Sequence, residues 1–134
     1  MNEVVKFLNE NPVQYLGTTD KDGNPKVRPF QFMIEKGGKL FFCTSNRKNV
    51  YAEIQNNPNV EFCVASLSYA WIRVSGKVVF SNDLDIKAAL IEHSPLVKSI
   101  YETPGNPMFE IFYLENAKAV IADFSGKPPR TIEL

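Results

Sequence analysis

The chain has 134 residues, with 15 Lys and Arg balanced by 15 Asp and Glu, one His and two Cys. This length suits a single domain over residues 1–134, because a second hydrophobic core would be too small to be stable alone. The zero net charge argues against nucleic acid, which needs a basic excess, and against an anionic membrane surface. No apolar run approaches the roughly 20 residues that span a bilayer.

Hydrophobic periodicity, turn residues and helix caps predict mostly strands, joined by tight turns at residues 20–24 and 36–39. In chain order we predict a helix over 3–11; strands over 13–19, 26–35 and 40–44; a helix over 49–57; strands over 60–66 and 70–81; a helix after the cap at 82–83; a helix over 94–101; strands over 109–114 and 118–124; and a polar tail.

These elements favour an antiparallel sheet, because consecutive strands follow one another through tight turns. With about seven strands and few helices, closure into a small barrel would remove the exposed edges. The strand over 40–44 is apolar on both faces and is predicted to be central. Gly76, inside the strand over 70–81, predicts a bulge.

Motifs of several common chemistries are absent. The sequence has neither Gly-x-x-x-x-Gly-Lys nor Gly-x-Gly-x-x-Gly, and one histidine supports few triads or metal sites, so no metal is predicted. His93 stands near a predicted helix end, where an interaction with the helix C-terminus explains it simply. Cys43 and Cys63 form no paired motif and are predicted to be free thiols in a reducing cytoplasm.

Residues 44–48 place hydroxyl, amide and basic side chains where a strand meets a helix start. A helix N-terminus has free N–H groups and partial positive charge, which favour a phosphate. The alternative is a plain helix cap with two solvated cations.

Arg28 stands in a strand otherwise built for burial, where an unpaired charge is costly. It either pairs with a carboxylate on the barrel surface or supplies a second cation for the anion at 44–48. Trp71 and Arg73 likewise either belong to a core or subunit interface, or contact a planar ligand.

Five segments occur in a characteristic order: DGNP at 22–25, RPF at 28–30, LFFCTSNRK at 40–48, NPNVE at 57–61 and WIRVSGK at 71–77. In order and spacing the chain resembles the pyridoxamine 5′-phosphate oxidase-like FMN-binding split-barrel family, and within it the branch that includes the nitroimidazole-resistance (Nim) proteins.

The resemblance implies a mainly β fold, a six-stranded antiparallel split β-barrel, and a homodimer with FMN at the interface. It also implies that Arg28 and Lys48 bind the FMN phosphate, and that Trp71 and Arg73 approach from near the interface. The residues implied to contact the cofactor are Arg28, Pro29, Phe30, Gln31, Phe42, Cys43, Thr44, Ser45, Asn46, Lys48, Trp71 and Arg73.

The function implied by the resemblance is that of a cytoplasmic FMN-dependent oxidoreductase that passes electrons to a small organic acceptor. The alternatives are a flavin- or haem-binding split barrel without catalysis, and a pyridoxamine 5′-phosphate oxidase. Two features depart from the family pattern. The C-terminal segment contains Arg130 but no His, and His93 does not fall in a matching strand.

Overall fold

The computed structural model describes residues 1–134 and contains eight strands and four short helices. The helices are α1 (Asn2–Glu10), α2 (Asn49–Asn56), α3 (Leu84–His93) and α4 (Pro95–Tyr101). The strands are β1 (Tyr15–Thr19), β2 (Pro25–Pro29), β3 (Ile34–Lys36), β4 (Lys39–Ser45), β5 (Asn59–Ala65), β6 (Trp71–Ser81), β7 (Phe109–Ala122) and β8 (Arg130–Glu133).

All eight strands belong to one antiparallel sheet, in the order β2-β1-β5-β6-β7-β4-β3, with β8 paired to β7. The two end strands, β2 and β3, are consecutive in the chain and are joined only by residues 30–33. This short connection holds the ends of the sheet together, so the sheet wraps around its own apolar face. The predicted mainly β antiparallel class is confirmed.

The barrel interior is a cluster of 18 buried apolar residues. Phenylalanines fill its middle: the Phe42 ring stacks on Phe112 with centroids 5.3 Å apart and meets Phe62 edge-on at 5.2 Å. Helices α1 and α2 each contribute the apolar side chains of one face to this cluster. The two helices are therefore held on the barrel by burial of those faces.

A second cluster of nine buried residues joins α3 and α4 to the outward face of β4 and β7. Within this cluster the rings of Tyr101 and Phe109 are stacked, with their centroids 4.6 Å apart. The predicted cap of α3 is present, since the Asp83 carboxylate accepts the N–H groups of Asp85 and Ile86. None of the four helices combines the length and apolarity needed to cross a membrane.

The single strand predicted over 26–35 is wrong, because β2 ends at Pro29 and β3 begins at Ile34. Residues 30–33 connect the two end strands of the sheet and lie outside both of them. The Phe30 N–H donates to the Gln14 carbonyl at 2.9 Å, the Phe32 N–H donates to Gln14 Oε1 at 2.8 Å, and the Met33 N–H donates to the Phe41 carbonyl of β4 at 3.0 Å.

The two strands predicted over 109–114 and 118–124 form one strand, β7. The predicted bulge at Gly76 lets β7 continue, because the pairing of β6 with β7 shifts between Ser75 and Lys77. The extra β7 residues face Gly76, and Asn116 has a φ of 53°. A side chain at Gly76 would place its Cβ 3.0 Å from the Leu114 Cβ, so any other residue would have to displace Leu114 by a few tenths of an ångström.

Two smaller predictions also need correction. The tail, which the sequence predicted only as polar, contains β8, whose Ile132 packs against the barrel core while its neighbours remain exposed. Strand β4 is buried on both faces as predicted, but it lies one strand from the end of the sheet rather than at its centre. Its outward face is buried by α3 and α4.

Candidate functional site

A sheet edge and a helix N-terminus meet at one end of β4. Strand β3 pairs with β4 only as far as Phe41, so residues 42–45 have a strand neighbour on the β7 side alone. Helix α2 then begins at Asn49. We call residues 44–50 the strand–helix corner. It contains residues 44–48, which the sequence predicted to bind a phosphate, whereas Arg28 lies on β2.

The N-terminus of α2 is not capped by a side chain. Lys48 occupies the N-cap position with extended backbone and an exposed side chain. Ser45 shapes the turn, since its hydroxyl accepts the Arg47 N–H at 3.2 Å and its carbonyl accepts the Lys48 N–H at 3.1 Å. Because the helix dipole places partial positive charge here, the corner attracts anions.

Asn46 fixes the corner to the start of β7. Its side-chain amide donates to the Pro107 carbonyl at 2.8 Å and to Glu110 Oε1 at 3.1 Å, and its N–H donates to the Met108 carbonyl at 3.0 Å. These bonds occupy the amide that the resemblance assigns to the cofactor. Asn46 therefore positions the corner.

Thr44 carries the only buried side-chain N or O atom of the chain that has no hydrogen-bond partner. Thr44 is the first residue of the corner, pairs with Glu110 on β7, and is 2% exposed. Most buried polar groups in proteins are hydrogen-bonded, so an unpaired hydroxyl calls for an explanation such as a ligand or a functional role.

Arg28 is paired with a carboxylate, which is one of the two interpretations left open by the sequence. Its Nη2 lies 2.6 Å from Glu53 Oε1 on α2, and its Nη1 donates to Thr18 Oγ1 at 2.8 Å and to the Leu16 carbonyl at 3.3 Å. The Thr18 hydroxyl donates to the same Glu53 oxygen at 2.8 Å. These contacts tie β1, β2 and α2 together.

Glu53 and Thr18 are site residues that the sequence analysis did not find. The need of Arg28 for a partner was the available signal, but several carboxylates of the chain could have met it. Lys48 precedes the first turn of α2, and Arg28 binds Glu53, which lies one helical turn after Asn49. Arg28 therefore contacts the same helix whose N-cap position Lys48 occupies.

The predicted flavin-side residues have different environments. Pro29 and Gln31 are exposed, whereas Phe30 is half-buried with its ring 5.9 Å from that of Phe112. Phe42 is 1% exposed and belongs to the core, so only its backbone at the β4 edge is open to a ligand. The predicted flavin-side residues therefore lie on two segments: residues 29–31 at the β2–β3 connection, and the edge of β4 at residues 42–45.

Cys43 faces away from the barrel interior and packs against the cluster under α3 and α4. Burial raises the pKa of its thiol to about 11, and the nearby Lys48 charge opposes that shift only in part. The side chain is therefore a neutral thiol near pH 7, without the depressed pKa of a reactive cysteine.

Trp71 and Arg73 lie on the outward face of the sheet, with the Arg73 guanidinium carbon 4.8 Å from the Trp71 ring centroid. Trp71 pairs with Ala122 at one end of β7, whereas Ser45 pairs with Phe109 at the other. On the order of 40 Å of strand separates those ends at about 3.3 Å per residue. Within one chain the two residues are therefore not part of the strand–helix corner.

Comparison with known families gives one match, over residues 1–120, to the model described as pyridoxamine 5′-phosphate oxidase. That segment includes the strand–helix corner, the Arg28 pair and all of β6. No curated protein sequence matches the chain.

Solved structures share the fold over nearly the whole chain. A NimC/NimA family protein from Clostridium acetobutylicum is 30% identical, with a TM-score of 0.91, and the match covers 100% of this chain and 92% of that one. General stress protein 26 from Bacillus anthracis is 18% identical, with a TM-score of 0.80 and coverages of 99% and 97%. A pyridoxamine 5′-phosphate oxidase-related, FMN-binding protein from Nostoc punctiforme is 18% identical, with a TM-score of 0.75 and coverages of 97% and 87%.

Proposed function

Because the chain belongs to the pyridoxamine 5′-phosphate oxidase-like FMN-binding split-barrel family, we propose that it is an FMN-binding flavoprotein. We propose further that it is an oxidoreductase that passes electrons to a small organic acceptor, as the similarity to a NimC/NimA family protein suggests. The two free cysteines suit a reducing compartment, and we extend the proposal to the cytoplasm.

The observation that supports FMN most directly is the uncapped N-terminus of α2 beside the unpaired edge of β4. The donor set of this corner suits a phosphate, because it combines helix N–H groups, the Ser45 hydroxyl and the Lys48 ammonium. The unpaired Thr44 hydroxyl adds a donor that lacks a partner within the chain. These residues fit the phosphate end of the cofactor.

Bound FMN would supply the redox chemistry, and the protein would supply position and electrostatics. Lys48 and the first turn of α2 would hold the phosphate, while Arg28 of β2, which is paired with Glu53 on the next turn of the helix, would add positive charge. The half-buried Phe30 and the backbone of residues 42–45 would form the wall along the split. Neither cysteine is proposed to take part, and no side chain is assigned as acid or base.

Replacing Lys48 with alanine is expected to weaken FMN binding by about 1–3 kcal/mol, the usual contribution of a hydrogen bond to a charged group. Riboflavin lacks the phosphate, so its affinity should not change. Flavin fluorescence titration of the apoprotein measures both constants. Lys36→Ala is the matched control, because Lys36 is an exposed cation at the far end of the β3–β4 hairpin. Equal losses for FMN and riboflavin would contradict the phosphate role.

The alternatives are decided by the cofactor that copurifies with the protein. Flavin absorbance supports the proposal, whereas a haem Soret band would favour the haem-binding alternative. Pyridoxamine 5′-phosphate oxidase activity has less support, because the C-terminal segment contains Arg130 but no histidine. Reduction by NADH or NADPH, followed with nitro compounds and quinones as acceptors, would separate an enzyme from a carrier.

We also propose a homodimer with FMN at its interface. The outward sheet face that carries Trp71 and Arg73 includes exposed apolar side chains such as Val27, which is 70% exposed, and Tyr15, which is 46% exposed. A second copy covering this face would bury them and would allow Trp71 to reach the cofactor of the partner. Sedimentation equilibrium should give twice the chain mass, and Val27→Asp should shift it toward one chain. A monomeric wild-type protein would contradict this arrangement.

A further inference from the structure

A carboxylate side chain, that of Glu53, lies near the proposed phosphate site and is paired with Arg28. Glu53 holds the guanidinium from α2, only one turn beyond the N-terminus that would receive the phosphate. The side chains are 23% and 14% exposed, so water screens this pair less than it screens a surface pair. A negative charge that close to the corner opposes a second anion.

The guanidinium nevertheless keeps free donors. Arg28 has five N–H groups, and three are used: two on Nη1, by Thr18 and the Leu16 carbonyl, and one on Nη2, by Glu53. The Nε–H and the second Nη2–H have no acceptor within the chain. Free guanidinium donors of this kind bind the oxygens of anions such as phosphate.

We infer that Glu53 is a positioning residue that orients Arg28 toward the cofactor phosphate and at the same time weakens the attraction, so that FMN affinity is set below what the cations alone would give. The inference rests on the proposed function. Thr18 supports the same orientation, because its hydroxyl bridges Arg28 and Glu53. Glu53 would thereby determine how strongly the site prefers a phosphorylated flavin.

The test compares FMN with riboflavin in wild-type apoprotein, Glu53→Gln and Thr18→Val. Glutamine keeps an oxygen for Arg28 but removes the charge, so FMN should bind Glu53→Gln about threefold to tenfold more tightly, as expected for one opposing charge at intermediate dielectric. Riboflavin affinity should stay constant. Glu10→Gln is the matched control, because it makes the same change at an exposed carboxylate on α1.

The Thr18→Val variant separates orientation from charge. It removes the bridging hydroxyl and leaves both charges. FMN affinity should therefore not rise, whereas it should rise in Glu53→Gln. A purely structural role for Glu53 would instead make both variants bind FMN more weakly. Circular dichroism checks folding, and Glu53→Asn, which also keeps an amide oxygen at this position and removes the charge, serves if the glutamine variant does not fold.

The outcomes are distinguishable. If wild-type protein prefers FMN over riboflavin but neither Glu53 variant raises that preference, the inference about Glu53 is wrong and the proposed function stands. If wild-type protein binds neither flavin, the proposed function fails and the inference fails with it.

Discussion

Replacing Phe42 with alanine is expected to lower the free energy of unfolding by about 3–5 kcal/mol, the usual cost of deleting a large aromatic side chain from a core. The ring is 1% exposed and lies among Phe30, Phe62 and Phe112, so the surroundings can close the cavity only in part. Domains are stable by only about 5–15 kcal/mol, so this single change would leave the fold marginal. Urea unfolding of the apoprotein measures the effect.

Phe124→Ala is the matched control, because Phe124 is 82% exposed and its ring meets only that of Tyr69. We expect that change to alter the free energy of unfolding by less than about 0.5 kcal/mol. A loss below about 1 kcal/mol for Phe42→Ala would mean that the barrel interior is not packed as described.

Replacing Arg28 with alanine is expected to reduce both stability and FMN affinity. Glu53, whose side chain is 14% exposed in the intact pair, then has no cation, which should lower the free energy of unfolding by about 1–3 kcal/mol. This is less than for a fully buried pair, because water still reaches the two groups. Separately, loss of the charged donors should weaken FMN binding by about 1–3 kcal/mol.

A double-mutant cycle with Glu53→Ala isolates the pair, and the double variant should lose less than the two single losses combined. Lys6→Ala is the comparison for a solvent-exposed pair, since Lys6 and Glu10 of α1 lie 3.9 Å apart and are 77% and 61% exposed. Its stability should stay within about 0.5 kcal/mol of wild type. An Arg28→Ala variant as stable as wild type would show that the ion pair does not anchor α2.

Local signals in the sequence predicted local structure well. Asp20 accepts the N–H groups of Asp22 and Asn24 in the predicted turn, and Ser94 caps α4 just ahead of Pro95. The break between β2 and β3 was not predictable in this way. It depends on where the two ends of the sheet meet, which is a long-range property. An apolar run has the same sequence pattern whether it forms a paired strand or connects two strands.

The candidate site shows the same division. Ser45 and Lys48 were predicted at a helix start because cap residues and cations follow a strand directly. Glu53 was missed because its role depends on which strand α2 packs against, and that is a long-range contact. The family resemblance implied that Phe42 lies beside the flavin, and the structure adds that its side chain fills the barrel core while its backbone lies at the β4 edge.

The ratio of the riboflavin and FMN dissociation constants of the wild-type apoprotein tests the phosphate role of the strand–helix corner most directly. Both ligands carry the same ring system, so the ratio isolates what the protein does with the phosphate. We predict that FMN binds at least about tenfold more tightly, the equivalent of one charged hydrogen bond, and that added inorganic phosphate reduces the difference. Equal affinity for the two flavins, or binding of neither, would contradict the account.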